Sequence, residues 1–162
     1  MSEVSSKVRA IDALLAEYGE SHQNPFNKKI HWIAVPVIFW TVLALLWSIP
    51  FPTIIENQPM LNWGTLLLLA TLVYYFVLSP VLAIGMGNFS LLCVILVRAY
   101  EKSIALPLWQ GALIVFVIAW AFQFWGHKVE GKKPSFFKDV QFLLIGPAWL
   151  MSFVYKRLGI KY

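Results

Sequence analysis

Histidine is the residue type in this sequence best suited to chemistry, and the chain has three. His22 and His31 stand just before or at the start of one long apolar run, and His127 stands at the far end of another. Neutral imidazoles with an oxygen ligand suit iron(II), zinc or manganese, and a site with open positions suits oxygen chemistry or hydrolysis. The single cysteine, Cys93, excludes a Cys-rich zinc site. A metal site is therefore possible if the two helix ends meet.

Spacing around Pro25 allows the first two histidines to approach each other. Nine residues separate His22 from His31, which on one continuous helix would place them about half a turn out of phase. Pro25 argues against a continuous helix, and a break there would let His22 fold back over a helix that starts near Asn27. Asn27 and His31 are four residues apart and share a face of that helix.

A second polar group follows the other apolar run. Gln123, His127 and Glu130 are spaced four and three apart, so they also share one helix face. The pairs Lys28–Lys29 and Lys132–Lys133 flank the two groups. Such pairs are typical of positive-inside charges, and they could also hold an acidic lipid headgroup. Taken singly, an interfacial histidine is more often a polar anchor than a ligand, so the metal hypothesis depends on convergence.

Composition indicates the environment of these residues. The 162-residue chain is 59% hydrophobic and 13% charged, whereas a soluble domain is about half apolar and about a quarter charged. These values predict an all-α, polytopic membrane helix bundle that forms a single domain over residues 1–162. The net charge of +5 then favours an anionic membrane face over nucleic acid, because the basic residues lie in short loops beside apolar runs.

Residues 1–21 are predicted to form an amphipathic helix. Its apolar residues recur at steps of four and three: Val4, Val8, Ile11, Leu15 and Tyr18. The helix could lie on the membrane surface or on the bundle, or it could act as a lid over a site. No signal peptide is visible in the sequence.

Four to five apolar segments follow this helix. Four are predicted to span the membrane, over residues 30–49, 61–78, 81–97 and 105–125. Ser79-Pro80 divides the second from the third as a tight hairpin, although one tilted span with a re-entrant piece is an alternative. Gly85 and Gly87 would allow a neighbouring helix to approach closely. The fifth segment, over residues 140–155, is interrupted by Gly146-Pro147, so it could either span or re-enter.

Basic residues predict the orientation of the bundle. With four spans between them, the N-terminal segment and the loop after residue 125 fall on the same side, and both are rich in lysine. All three histidines are therefore expected at one membrane face, the cytoplasmic one, of either a bacterial inner membrane or the endoplasmic reticulum. Arg98 and Lys102 fall on the opposite side and oppose this orientation.

Two motifs together resemble a known family. They are His22-x4-Asn27-x3-His31, followed by Val35-Pro36, and Gln123-Phe124-x-Gly126-His127-x2-Glu130-x-Lys132-Lys133-Pro134, with Gly146-Pro147 later. This pattern is similar to that of the small membrane proteins that include the fungal 2-hydroxy fatty acid dioxygenase of phytosphingosine breakdown. The resemblance covers nearly the whole chain, including the layout of its apolar segments.

The resemblance implies an Fe(II)-dependent dioxygenase that shortens a long-chain 2-hydroxy fatty acid by one carbon, using molecular oxygen, at the surface of the lipid bilayer. It implies iron ligation by His22, His31 and His127, with Glu130 and Asn27 as further ligands or as residues that orient the ligands. The substrate's carboxylate and 2-hydroxyl would chelate the iron, and its tail would lie between helices. The expected substrate-binding residues are Lys28, Lys29, Lys132, Lys133 and Gln123.

Two other function classes fit the same residues. One is a non-enzymatic membrane protein that binds a lipid or a protein partner and uses its histidines as polar anchors. The other is a zinc-dependent lipid hydrolase that uses the same ligands. Measurement of bound metal distinguishes the non-enzymatic protein from the two enzymes. The identity of the metal, iron or zinc, and the consumption of oxygen distinguish the dioxygenase from the hydrolase.

Overall fold

A computed structural model describes residues 9–52, 60–133 and 141–162, and these residues form six α-helices and no strand. The helices are α1 (Ala10–Glu20), α2 (Pro25–Trp47), α3 (Trp63–Leu78), α4 (Pro80–Ser103), α5 (Leu108–Glu130) and α6 (Phe142–Arg157). The predicted all-α class is thereby confirmed. Val4, Val8, Pro134 and Val140 lie outside the described residues.

Three helices are long and apolar enough to cross a membrane: α2, α4 and α5. The helix α3 is apolar but has 16 residues. At 1.5 Å per residue it is about 24 Å long, which is less than the ~30 Å of a hydrocarbon core. Three of the four predicted spans therefore have the required length and composition, and a span by α3 stays a prediction.

The helix α2 begins earlier than predicted because its first residues form a favourable helix start. The Asn24 side chain accepts a hydrogen bond from the Phe26 backbone N–H at 2.8 Å, and Pro25 occupies the first helical position. The helix then continues through Pro36 to Trp47. His31 consequently lies in the second turn of α2, and α2 packs most extensively against α5.

The predicted hairpin at Ser79-Pro80 is confirmed. Ser79 ends α3 and also caps α4, since its hydroxyl accepts a hydrogen bond from the Leu82 N–H at 3.2 Å. Gly85 allows a close approach, as predicted. A Cβ at this position would lie 2.6 Å from the Tyr155 hydroxyl of α6.

The helices α1 and α6 pack against each other through a shared apolar cluster. Ile11, Leu15 and Tyr18 form the buried stripe of α1. The predicted interruption at Gly146-Pro147 is wrong, because α6 runs continuously through both residues and buries them. Pro147 removes one backbone donor from α6, and the packing of its neighbours against α1 and α4 compensates for that loss.

Both ends of α6 are tied to the region of the α3–α4 turn. The Tyr75 hydroxyl of α3 donates to the Leu144 carbonyl at 2.8 Å, and the Tyr155 hydroxyl donates to the Val81 carbonyl of α4 at 2.7 Å. These two bonds hold α6 at one end of the bundle. Both alternatives for the fifth segment, spanning and re-entering, stay predictions.

Candidate metal centre

Three histidines from three parts of the chain meet inside the bundle. The ring centroid of His22 lies 4.2 Å from that of His31 and 5.0 Å from that of His127, and the last two centroids are 4.9 Å apart. One ligand nitrogen from each ring can be chosen so that all three lie within 4.8 Å of one another. The side chains are at most 4% exposed. The geometric condition for the predicted site, convergence of the two helix ends, is therefore met.

Backbone carbonyls orient two of the three rings. His22 Nδ1 lies 2.6 Å from the Tyr18 carbonyl oxygen, and His31 Nδ1 lies 2.9 Å from the Asn27 carbonyl oxygen. A carbonyl only accepts hydrogen bonds, so each Nδ1 carries the proton and each Nε2 keeps its lone pair. This is the arrangement in which protein histidines bind metals.

Buried nitrogen atoms without partners support a metal-binding role. His22 Nε2 and His127 Nδ1 are both buried and have no hydrogen-bond partner among the described residues. Buried polar atoms without a partner are rare in folded proteins. A divalent metal ion would satisfy both lone pairs, so this donor set fits such an ion. Burial also lowers the pKa of His22 to about 4, which keeps that ring neutral and able to bind a metal at neutral pH.

Glu130 lies beside this group and is not a member of it. Its carboxylate accepts hydrogen bonds from the backbone N–H groups of Gln23 and Asn24, both at 2.8 Å, and from Asn27 Nδ2 at 3.1 Å. These three bonds tie the end of α5 to the link that carries His22 and to the start of α2. The carboxylate joins these segments, which fits a residue that orients the ligands, and its role as a metal ligand stays a prediction.

Asn27 holds the two long helices together at the site. Its Nδ2 donates to the Ser21 carbonyl oxygen at 3.2 Å as well as to Glu130. Its Oδ1 is buried without a partner among the described residues and faces Gly126, where an added Cβ would collide with it. Gly126 is thus required for α5 to approach α2 at the level of the histidines.

The four predicted substrate lysines do not line the cavity beside the histidines. Lys28 is half-buried, whereas Lys29 and Lys133 are exposed. Lys132 Nζ donates to the Glu20 carbonyl oxygen at the end of α1, at 2.7 Å. A cation at a helix C-terminus is stabilising, so Lys132 has a structural partner there. The substrate-binding role of these lysines stays a prediction.

A cavity of about 330 Å³ adjoins the histidines and runs between α2, α3, α5 and α6. His31 and His127 form part of its wall, and most of its other lining side chains are apolar. Gln123, a predicted substrate-binding residue, lines it and is 6% exposed. Its Oε1 is buried without a partner among the described residues and is therefore an acceptor available to a ligand.

Sequence reasoning missed two aromatic residues of the site. The Tyr18 ring stacks on the His22 ring with centroids 4.2 Å apart, and Tyr18 also lines the cavity. Trp149 of α6 packs against both rings, at 5.3 Å from His22 and 5.5 Å from Tyr18. Tyr18 could have been found from its spacing, because it precedes His22 by four residues. Trp149 is not spaced from any histidine in a way that would have predicted its place in the site.

These features define a class: an apolar helical protein in which three buried histidines lie beside an apolar cavity. A model of the Mpo1-like family, described as 2-hydroxy-palmitic acid dioxygenase Mpo1-like, matches residues 8–158. The chain belongs to this family, and the resemblance given by the paired motifs is confirmed. Comparison with curated proteins and with solved structures found no significant match.

Proposed function

We propose that the protein is an Fe(II)-dependent dioxygenase that converts a 2-hydroxy fatty acid to the fatty acid one carbon shorter. The observation that carries the proposal is the convergence of three buried histidines beside an apolar cavity. The description of the family, which names a dioxygenase of 2-hydroxy-palmitic acid, supports the reaction class and the substrate. Long apolar helices support a place in the lipid bilayer, and the basic loops favour a site that faces the cytoplasm.

His22, His31 and His127 would hold the metal in this proposal. Iron(II) would supply the one-electron chemistry that allows oxygen to react with an organic acid. The carbonyls of Tyr18 and Asn27 fix the rings of His22 and His31, and burial keeps water out of the site. We assign Glu130 and Asn27 to positioning of these ligands.

Two cavity side chains suit the polar head of a 2-hydroxy acid. The 2-hydroxyl is a donor, and Gln123 Oε1 is a buried acceptor without a partner among the described residues. The carboxylate is an acceptor, and the Tyr18 hydroxyl can donate to it. Gly146 lets α6 pack closely against that hydroxyl, because a Cβ there would lie 2.9 Å from it. The contact of Gln123 with the 2-hydroxyl would distinguish a 2-hydroxy acid from an ordinary fatty acid, because both acids carry the carboxylate.

The overall reaction balances with oxygen as the only added reactant. The C1–C2 bond breaks, C1 leaves as carbon dioxide, and C2 becomes the carboxyl carbon of the shortened acid. One molecule of oxygen is reduced, and one molecule of water forms together with the carbon dioxide and the shortened acid. The acid and oxygen therefore disappear in equal amounts, and no external reductant is needed.

Oxygen uptake tests this proposal. The protein, purified in lipid nanodiscs and loaded anaerobically with Fe(II), is given a long-chain 2-hydroxy acid or the same acid without the hydroxyl. We expect uptake only with the hydroxy acid, and loss of uptake and of bound iron in His127→Ala. Absence of uptake by an iron-loaded protein would reject the dioxygenase, and full iron binding by His127→Ala would remove His127 from the ligand set.

Gln123→Ala tests recognition of the hydroxyl, with Gln110→Ala as the matched control nearer the opposite end of α5. Loss of one hydrogen bond that leaves a buried partner unpaired costs about 1–3 kcal/mol, so KM should rise about tenfold for Gln123→Ala. Iron content should stay unchanged in both variants. An equal change in the two variants would show that Gln123 does not contact the hydroxyl.

A further inference from the structure

We infer that the cavity beside the histidines is a channel for a single acyl chain, and that Leu43 and Leu68 form the floor that limits the length of that chain. This inference rests on the proposed function, because it places the substrate's polar head at the histidines. It adds the path of the tail and the residues that select its length.

The side of the channel formed by α2 is one continuous helix face. His31, Val35, Ile38 and Val42 all line the cavity, and their spacing of four, three and four places them on one face. The cavity therefore begins at the metal ligands and follows α2 away from them. Beyond the histidines, α2 contributes apolar side chains to the wall, as an acyl tail requires.

The floor lies where α2 and α3 pack together. Leu43 and Leu68 line the cavity and are 0% and 7% exposed. Both also belong to a buried cluster with Trp47, Cys93 and Val97, which fills the space between α2, α3 and α4 below the cavity. A chain that starts at the histidines therefore meets close-packed side chains at Leu43 and Leu68.

The channel also has an opening to the outer surface of the bundle. Leu143 of α6 lines the cavity and is nevertheless 43% exposed. Neighbouring helix faces carry exposed apolar residues, as a lipid-facing surface does. An amphiphile could thus enter sideways from the bilayer. A cavity of about 330 Å³ is small among ligand sites, which span about 300–1,000 Å³, and this volume suits one chain better than two.

The distance from ligand to floor gives the chain length. Residues 31 and 43 are separated by about 18 Å along α2, at 1.5 Å per residue. An extended chain with carbon–carbon bonds of about 1.5 Å advances about 1.3 Å per carbon. The channel therefore accommodates about fourteen carbons in extended form before the chain reaches Leu43 and Leu68.

Displacement of a fluorescent fatty acid from the full protein in nanodiscs tests this inference without requiring turnover. Saturated fatty acids of increasing length are the competitors, and Leu68→Ala is compared with Leu82→Ala. Leu82 is also buried but lies in a different cluster and does not line the cavity. We expect the wild-type affinity to rise about fourfold per methylene and then stop rising near the predicted length. Leu68→Ala should move that limit to chains about two carbons longer, and Leu82→Ala should not.

A second variant, Val42→Phe, tests the channel independently if Leu68→Ala folds poorly. Val42→Phe fills the channel above the floor, so it should weaken binding of long acids while short acids bind as before. An unmoved length limit in both variants, or an equal change in Leu82→Ala, would overturn the inference. If the length limit moves but no 2-hydroxy acid supports oxygen uptake, the channel stands and the proposed dioxygenase fails.

Discussion

Removal of the Glu130 carboxylate should weaken metal binding without removing a ligand. In the structure this carboxylate accepts bonds from the backbone N–H groups of Gln23 and Asn24 and from the Asn27 amide. Glu130 thereby holds the segment that carries His22 against the end of α5. The variants Glu130→Gln and Glu130→Ala are therefore expected to loosen His22, while all three imidazoles remain.

The size of the effect follows from the hydrogen bonds. A hydrogen bond to a charged group contributes about 1.5–3 kcal/mol, but Gln23 is exposed and water can replace its partner. We therefore expect Glu130→Ala to cost about 2–3 kcal/mol in total stability, and Glu130→Gln to cost less because one acceptor oxygen remains. Loss of a group that orients metal ligands typically lowers metal affinity 10–100-fold, and we expect a decrease of that size.

Anaerobic Fe(II) titration followed by EPR of the nitric oxide adduct is the assay. Both variants should still bind one iron at high Fe(II) concentration, with the spectrum of the wild-type site. Glu101→Gln, which breaks an exposed ion pair with Arg98 in α4, is the matched control and should titrate like the wild type. Unchanged iron affinity in Glu130→Ala would refute the positioning role, and failure of both variants to bind iron at any concentration would make Glu130 a ligand.

Gly126→Ala should decrease iron affinity and destabilise the protein by about 1–3 kcal/mol, because its Cβ collides with Asn27 Oδ1. The control is Gly87→Ala, where a Cβ meets nothing closer than 3.9 Å, and it should be neutral or stabilising. Thermal unfolding and iron titrations measure both variants. The metal-free protein should lose stability as pH falls from 6.5 towards 4, since burial lowers the pKa of His22 in the folded state and the unfolded chain binds the proton first. The share of His22 in that loss is about 3 kcal/mol at most, so scanning fluorimetry should show a smaller loss for His22→Gln, in which the other two buried histidines remain. Tyr18→Phe keeps the ring stacked on His22, so iron affinity should stay constant while KM for the 2-hydroxy acid rises about tenfold. An unchanged KM would show that the Tyr18 hydroxyl does not contact the substrate.

Helix periodicity and one helix break were enough to predict the convergence of the histidines. Pro25 at the start of α2 separates His22 from His31, and the four-and-three spacing places Gln123, His127 and Glu130 on one face of α5. These are local properties of the chain, and the packing of α2 against α5 brings the two helix ends together. The hairpin at Ser79 was likewise predictable, because a serine cap and a proline define it locally.

Other features depend on long-range packing and could not be predicted in this way. Glu130 was expected either as a ligand or as a residue that orients the ligands, and spacing alone cannot show that three N–H groups donate to its oxygens. Gly146-Pro147 suggested an interrupted segment, and tertiary packing of α6 overcame that local tendency. The cavity results from side-chain shapes on five helices and leaves no pattern in the sequence.

The fate of carbon C1 tests the account most directly. A long-chain 2-hydroxy acid labelled at C1 is incubated with the protein loaded with Fe(II), with Zn(II) or with no metal. We expect that only the iron form releases labelled carbon dioxide, in an amount equal to the oxygen consumed and to the unlabelled, shortened acid formed. Retention of the label in the product acid, or equal activity of the zinc form, would contradict it.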